Sequence, residues 1–207
     1  MSQFDHAGDR LGDPRILNIP NSLTAFRVLC VPLMAYLLWA DHGQRGSLRD
    51  LAALVFVLAS ITDLLDGAIA RRAGQVTTFG KIADPIADKA LTGVALISLS
   101  LMGDLAWWIT IVIVARELGV TGLRVWVIHR GVIPASRGGK AKTLAQTVAI
   151  TMYLIDLPSI SWWVPLSQAV MAIAVVLTLA TGLDYVRHAL RLRHQSSGSE
   201  SVDGELR

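Results

Sequence analysis

Asp63-Leu64-Leu65-Asp66-Gly67-Ala68-Ile69-Ala70-Arg71 closes one apolar stretch with two carboxylates, and Gly80, Asp84 and Asp88 open the next. A helix turns about 100° per residue, so Asp63 and Asp66 lie about 60° apart around one axis and Asp84 and Asp88 about 40° apart around another. Each pair therefore faces one way. If the two stretches form a hairpin across residues 71–82, both pairs converge near its loop, where like charges repel unless divalent cations sit among them. Oxygen donors of this kind suit Mg²⁺ or Mn²⁺. Aspartates from two helices are the layout of a site in which two ions clamp a phosphoryl group during in-line displacement.

The composition says where such a site would sit. Apolar residues make up 53% of the 207-residue chain and charged residues 17%, and the mean hydropathy is +0.50, high for a water-soluble domain. Apolar windows long enough to cross a hydrocarbon core of roughly 30 Å occur near 22–40, 51–70, 83–102, 105–128, 144–160 and 162–186. The expectation is an all-α integral membrane protein of six transmembrane helices. The fifth window is the least regular, because Asp156 and Pro158 end its apolar run early.

Arg71, Arg72 and Lys81 fall between windows two and three, and Arg130, Arg137, Lys140 and Lys142 between four and five. Arg187, Arg191 and Arg193 follow the sixth, whereas the opposite connections hold only Arg45 and Arg49. The positive-inside rule then puts both termini and the loops 71–82 and 129–143 in the cytoplasm, as expected of a multi-pass protein of the cell membrane. Trp39, Trp107, Trp108, Trp162 and Trp163 gather at the opposite interface as an aromatic belt. No nucleic-acid partner is expected.

Three segments follow. Residues 1–20 form a cytoplasmic or interfacial lead without the apolar core of a signal peptide. Residues 21–187 form the six-helix domain, and residues 188–207 a polar tail expected to be disordered. The single Cys30 sits within the first window, where it reads as a small apolar residue.

Depth constrains the chemistry. Counted from Leu51 at about 1.5 Å per residue, Asp63 and Asp66 lie roughly 18 and 22 Å along a path of about 30 Å. Charged groups left there in lipid would cost about 2–3 kcal/mol each, so they are expected to face a watery cavity open to the cytoplasm. A substrate whose tails stay in lipid while its head group reaches that cavity fits this geometry.

Asp63-x-x-Asp66-Gly67-x-x-Ala70-Arg71, eight residues, then Gly80-x-x-x-Asp84-x-x-x-Asp88 resembles the signature of the CDP-alcohol phosphatidyltransferase family at every defining position. The resemblance implies six transmembrane helices, usually in a homodimer, and displacement of CMP from a CDP-linked lipid by the hydroxyl of an alcohol. Asp63, Asp66, Asp84 and Asp88 then correspond to the metal ligands, with Asp88 also the general base. Gly67 and Gly80 correspond to residues that admit the cytidine, Ala70 to a small residue beside it, and Arg71 to one that contacts the nucleotide. The residue types suit these roles, since glycine lacks the Cβ that would block a flat base and arginine holds phosphate in a fork. Small residues also serve helix packing in membranes.

A second constellation bears on the acceptor. Arg116 and Arg124 lie eight residues apart in an apolar window, about 80° around the helix, and intramembrane arginines are functional by default. With Lys140, Lys142 and Lys81 they would form a cationic pocket for an acceptor phosphate. Pairing of Arg116 with Glu117 is not expected, because helix neighbours do not face each other. Arg116-Glu117 through Arg124, Gly139-Lys140-x-Lys142-Thr143-x-x-Gln146, the start Asn18-Ile19-Pro20-Asn21-x-Leu23-Thr24-x-x-Arg27 and the string Phe79 to Lys89 resemble the branch of the family whose acceptor is sn-glycerol 3-phosphate. That branch joins CDP-diacylglycerol to this acceptor, giving phosphatidylglycerophosphate and CMP. The same resemblance assigns Thr24 and Arg27 to the nucleotide-diphosphate side. No Ser, Cys or His lies in the aspartate motif, which favours direct displacement over a covalent enzyme intermediate.

Two alternatives stay open within the family, an inositol phosphate acceptor and the phosphatidylglycerol acceptor of a cardiolipin synthase. In another class, four aspartates in a membrane suit a divalent-metal carrier. A carrier needs polar groups across the bilayer, however, and windows one, five and six carry no mid-membrane carboxylate.

Overall fold

The computed structural model describes the backbone of residues 19–73, 78–127, 137–155, 157 and 159–203, and the side chains of 22–63, 86–123, 138–155, 157 and 159–187. Among these residues the chain is all-helical, in the order α1 (Ile19–Asp41), α2 (Ser47–Ala73), α3 (Thr78–Leu101), α4 (Trp107–Val127), α5 (Arg137–Ile155) and α6 (Trp163–Asp203). The helices α1 and α6 contain segments, Ser22–Asp41 and Trp163–Arg187, long and apolar enough to cross a membrane.

α3 is the centre of the bundle and packs against α1, α2, α4 and α5, while α6 closes the far side against α4 and α5. The core joins Met34 of α1, Ala52, Phe56 and Ala59 of α2, Ala95, Leu96 and Leu99 of α3, Ile113 of α4, Ala149 and Ile150 of α5 and Ala174 of α6. Alanine at the contacts lets membrane helices approach closely. Outside this core the surface is itself apolar: Leu29, Tyr36, Leu101, Ile111, Leu118, Leu144, Val176 and Leu183 are all exposed. Such continuous apolar surface is rare on water-soluble monomers and is what lipid-facing helices present.

The two short connections are built by local hydrogen bonds. After α1 the chain passes through the left-handed region at His42, Gly43 and Arg45, and Asp41 holds that turn by accepting from Arg45 N and Gly46 N, each at 3.0 Å. α3 ends in a Schellman motif: Gly103, at φ +81°, donates to Ser100 O at 3.1 Å, and Asp104 donates to Leu99 O at 3.0 Å.

These turns and the end of α5 are fastened together by Arg49, which is 2% exposed. Its Nε donates to Leu154 O at 3.0 Å and its Nη2 to Tyr153 O at 2.8 Å. Its Nη1 lies 2.8 Å from the Asp104 carboxylate, which also takes Arg45 Nη2 at 2.9 Å. The arginine thus meets carbonyls that a helix C-terminus leaves without intrahelical donors. Trp39, Trp107, Trp108 and Trp162 are exposed at this same end.

Two boundaries differ from the sequence expectation. α5 begins at Arg137, seven residues before its apolar window, because hydropathy registers only the buried part of a helix whose first turns are basic. α6 continues to Asp203, so the backbone of the tail expected to be disordered is helical through that residue; extending an existing helix needs no new nucleus.

Candidate active site

α1, α2 and α3 carry four of the expected site residues on one side of the bundle. Arg27 of α1 is fully buried and its Nη1 lies 3.0 Å from Asp63 Oδ1 of α2, whose side chain is 35% exposed. Thr24, one turn before Arg27 and on the same face, is also buried. Asp88 of α3 is half-buried and lies within electrostatic reach of Asp63, Arg27, Glu117 and Lys142. Asp66 stands on the continuous helix α2, and Asp84 on α3. The side chains of Asp66, Gly67, Ala70, Arg71, Gly80, Lys81, Asp84 and Arg124 lie outside the described residues, and the described ones alone hold no cluster of three metal-ligating side chains.

A second group joins α4, α5 and α6. Glu117 accepts from Arg116 Nη1 at 3.1 Å and pairs with Lys142 Nζ of α5. The expectation that Arg116 and Glu117 would not pair is therefore corrected. The spacing rule describes where Cβ atoms point, and a side chain as long as arginine curls back around its own helix. Arg116 Nη2 donates to Thr181 Oγ1 of α6 at 2.7 Å, and its guanidinium carbon lies 5.9 Å from the Tyr185 ring centroid. A Cβ at Gly182 would stand 3.1 Å from Arg116 Cγ, so glycine is what lets α6 lie against this arginine. Lys142 is buried, whereas Lys140 is exposed and, among the described residues, outside the network.

Between these groups lies a cavity of about 70 Å³, bordered by Asp88, Lys89 and Thr92 of α3, Glu117 of α4, and Lys142, Thr143 and Gln146 of α5, with Leu96 and Ile113 among its apolar lining. Each helix contributes residues one turn apart, which is how three helices enclose a polar chamber without breaking their backbone bonds.

The donor chemistry fits hard divalent cations. Asp63 and Asp88 present carboxylate oxygens from neighbouring helices, the ligand type such ions prefer. Among described groups, Asp63, Asp88 and Glu117 are matched by Arg27, Arg116 and Lys142. Asp66 and Asp84 add two further negative charges to the same two helices.

Sequence reasoning missed Glu117 as the bridge between Arg116 and Lys142, and missed the part that α6 plays in this network. A carboxylate inside an apolar window was the available signal for the first. Thr181, Gly182 and Tyr185 carry no local signal, since their role exists only once α4 and α6 are packed.

The family model described as CDP-alcohol phosphatidyltransferase matches residues 17–180. A "Probable phosphatidylglycerophosphate synthase" of Mycobacterium tuberculosis is 49% identical over 194 residues, covering 92% of this chain and 90% of that protein. Proteins called "CDP-diacylglycerol--glycerol-3-phosphate 3-phosphatidyltransferase" are similar as well. That of Pseudomonas fluorescens is 39% identical over 84% of this chain and 90% of its own length. That of Bacillus subtilis is 36% identical over 82% and 94%.

Proposed function

The chain belongs to the CDP-alcohol phosphatidyltransferase family, and on that premise we propose that it transfers the phosphatidyl group of CDP-diacylglycerol to sn-glycerol 3-phosphate, giving phosphatidylglycerophosphate and CMP. It is a membrane protein and an enzyme, so the carrier reading falls away. The observation that carries the choice of acceptor is the run of relatives bearing that activity in their names across most of this chain. The buried cationic side chains beside Asp88 support it, because an alcohol that also bears a phosphate needs both a base and a counter-charge.

In this reading Asp88 takes the proton of the primary hydroxyl as that oxygen bonds to the phosphorus bearing the diacylglycerol. The bond from this phosphorus to the bridging oxygen breaks, and CMP leaves with the electron pair. Asp63, Asp66, Asp84 and Asp88 would hold two Mg²⁺ or Mn²⁺ ions, which when bound neutralise the diphosphate and stabilise the leaving group. Arg27 fixes Asp63 in place. Arg71, with Gly67, Ala70 and Gly80 leaving room, receives the nucleotide, and Thr24 stands at its diphosphate side. Arg116, Arg124, Lys140, Lys142 and Lys81 supply the positive charge around the acceptor phosphate.

The same proposal has six spans, residues 21–187 as the catalytic domain, both termini and the site at the cytoplasmic side of the cell membrane, and a homodimer. A cysteine placed at 134–139, with Cys30 replaced, should react with an impermeant thiol reagent only from the cytoplasmic side; labelling from outside would invert the orientation. The reaction is tested by CMP release from purified protein given CDP-diacylglycerol and, in turn, sn-glycerol 3-phosphate, inositol 1-phosphate, phosphatidylglycerol and glycerol. The first should be turned over well above the rest. Equal use of inositol phosphate or phosphatidylglycerol would move the protein to another branch of the family.

A further inference from the structure

Gln146 is 3% exposed, and its Oε1 has no hydrogen-bond partner among the described groups. A buried amide oxygen left this way costs about as much as a lost hydrogen bond, and buried polar atoms without partners are few enough that each calls for a reason. Gln146 borders the same cavity as Asp88, Glu117 and Lys142, one helical turn beyond Lys142 on α5. The atom can only accept. What it lacks is a donor, and Lys142, the cation one turn away, is already taken by Glu117, so a ligand hydroxyl is a fitting partner.

We infer that Gln146 is a specificity residue that accepts a hydrogen bond from the secondary hydroxyl of the acceptor. This rests on the proposed reaction. In sn-glycerol 3-phosphate the primary hydroxyl belongs at Asp88 and the phosphate at the cations, which leaves the central hydroxyl as the one uncommitted donor. The cavity of about 70 Å³ exceeds the roughly 10–15 Å³ that one water needs, so a hydroxyl-bearing carbon fits beside Oε1. A site built to hydrogen-bond a substrate hydroxyl rejects the analogue that lacks it, because its own buried group is then unpaired.

The discriminating substrate is 3-hydroxypropyl phosphate, which keeps the primary hydroxyl and the phosphate and lacks only the secondary hydroxyl. CMP release by the full-length protein with CDP-diacylglycerol should favour sn-glycerol 3-phosphate over it by about tenfold or more in kcat/KM, the factor a lost hydrogen bond represents. In Gln146→Met, similar in length but without the acceptor oxygen, that ratio should fall to near one. Gln146→Asn, which withdraws the amide by one methylene, should lower it too and serves if the first variant does not fold. A wild-type protein that uses both acceptors equally, or a variant that loses activity toward both while keeping the ratio, would overturn the assignment and leave the reaction standing. If the wild type uses neither and releases CMP with another alcohol, the reaction itself is wrong and this assignment falls with it.

Discussion

Arg49 and Asp63 stand fourteen residues apart on α2, roughly 21 Å along its axis, and the two ends they mark are built on opposite principles. At Arg49 the buried charge is met by hydrogen bonds to two carbonyls of α5 and by the Asp104 carboxylate at ion-pair distance. At the other end the network around Glu117 leaves Arg116 Nε and Gln146 Oε1 without partners among the described groups, beside a cavity. One end is closed by the protein's own charges and carbonyls and serves the bundle. The other keeps unmet hydrogen-bonding capacity, which is what a site awaiting ligand must do, at a cost in stability that the sealed end helps offset.

The sharpest way to break this contrast is at Asp88. Asp88→Asn should lower turnover by about 10²–10⁴-fold, the usual worth of a general base, with the protein still folded and membrane-inserted; chelation of divalent ions should abolish CMP release and Mg²⁺ or Mn²⁺ restore it. Near-native turnover in the variant would remove Asp88 from the chemistry. Next comes Arg49→Met, which removes the buried partner of Asp104 and the donor to two carbonyls. Breaking a buried pair in this way costs about 3–5 kcal/mol, so thermal unfolding in detergent should move sharply down while KM for both substrates stays near its original value wherever the protein remains folded. A large change in acceptor KM with unchanged unfolding would reverse the roles of the two ends.

Smaller effects sharpen the comparison. Lys142→Met should raise the acceptor KM by about ten- to a hundredfold, corresponding to about 1.5–3 kcal/mol for a charge-assisted hydrogen bond, and leave the KM for CDP-diacylglycerol within about twofold. An effect confined to the lipid donor would take Lys142 out of the acceptor pocket. Smallest is Gly182→Ala, which presses on Arg116 Cγ at 3.1 Å. Pushing that side chain off its rotamer costs about 0.5–1.5 kcal/mol, a rise in acceptor KM of roughly two- to tenfold. Alanine favours a helix over glycine by up to about 1 kcal/mol, so the thermal midpoint should not fall. A lower midpoint with unchanged KM would make Gly182 a packing residue only.

The helices were legible in the sequence wherever burial is apolar, and α1 to α4 lie close to their windows. α5 was read late because Gly138, Gly139, Lys140 and Lys142 hide a helix start from hydropathy. Asp63 and Asp88 were legible from spacing alone, and the structure adds Arg27 as the buried partner of one of them. Glu117 was discounted by a rule about neighbouring Cβ directions that arginine's length evades. Arg49 was read only as a loop charge, since its partners Leu154 and Tyr153 lie 105 and 104 residues away in sequence and no local pattern points to them. Gln146 was quoted within a motif without a role, because an unsatisfied oxygen is a property of packing and not of spacing.

The Arg49 clamp also orders events in time. A chain made from its N-terminus exposes Arg49 long before the carbonyls of Tyr153 and Leu154, 104 and 105 residues later, have been synthesised. Until α5 arrives the guanidinium has only the nearer Asp104 as a partner. When α5 docks, three separated parts of the chain are locked in one step, with α6 still to follow. The arginine therefore acts as a latch on assembly, closing only when the helix that carries Lys142 and Gln146 has taken its place.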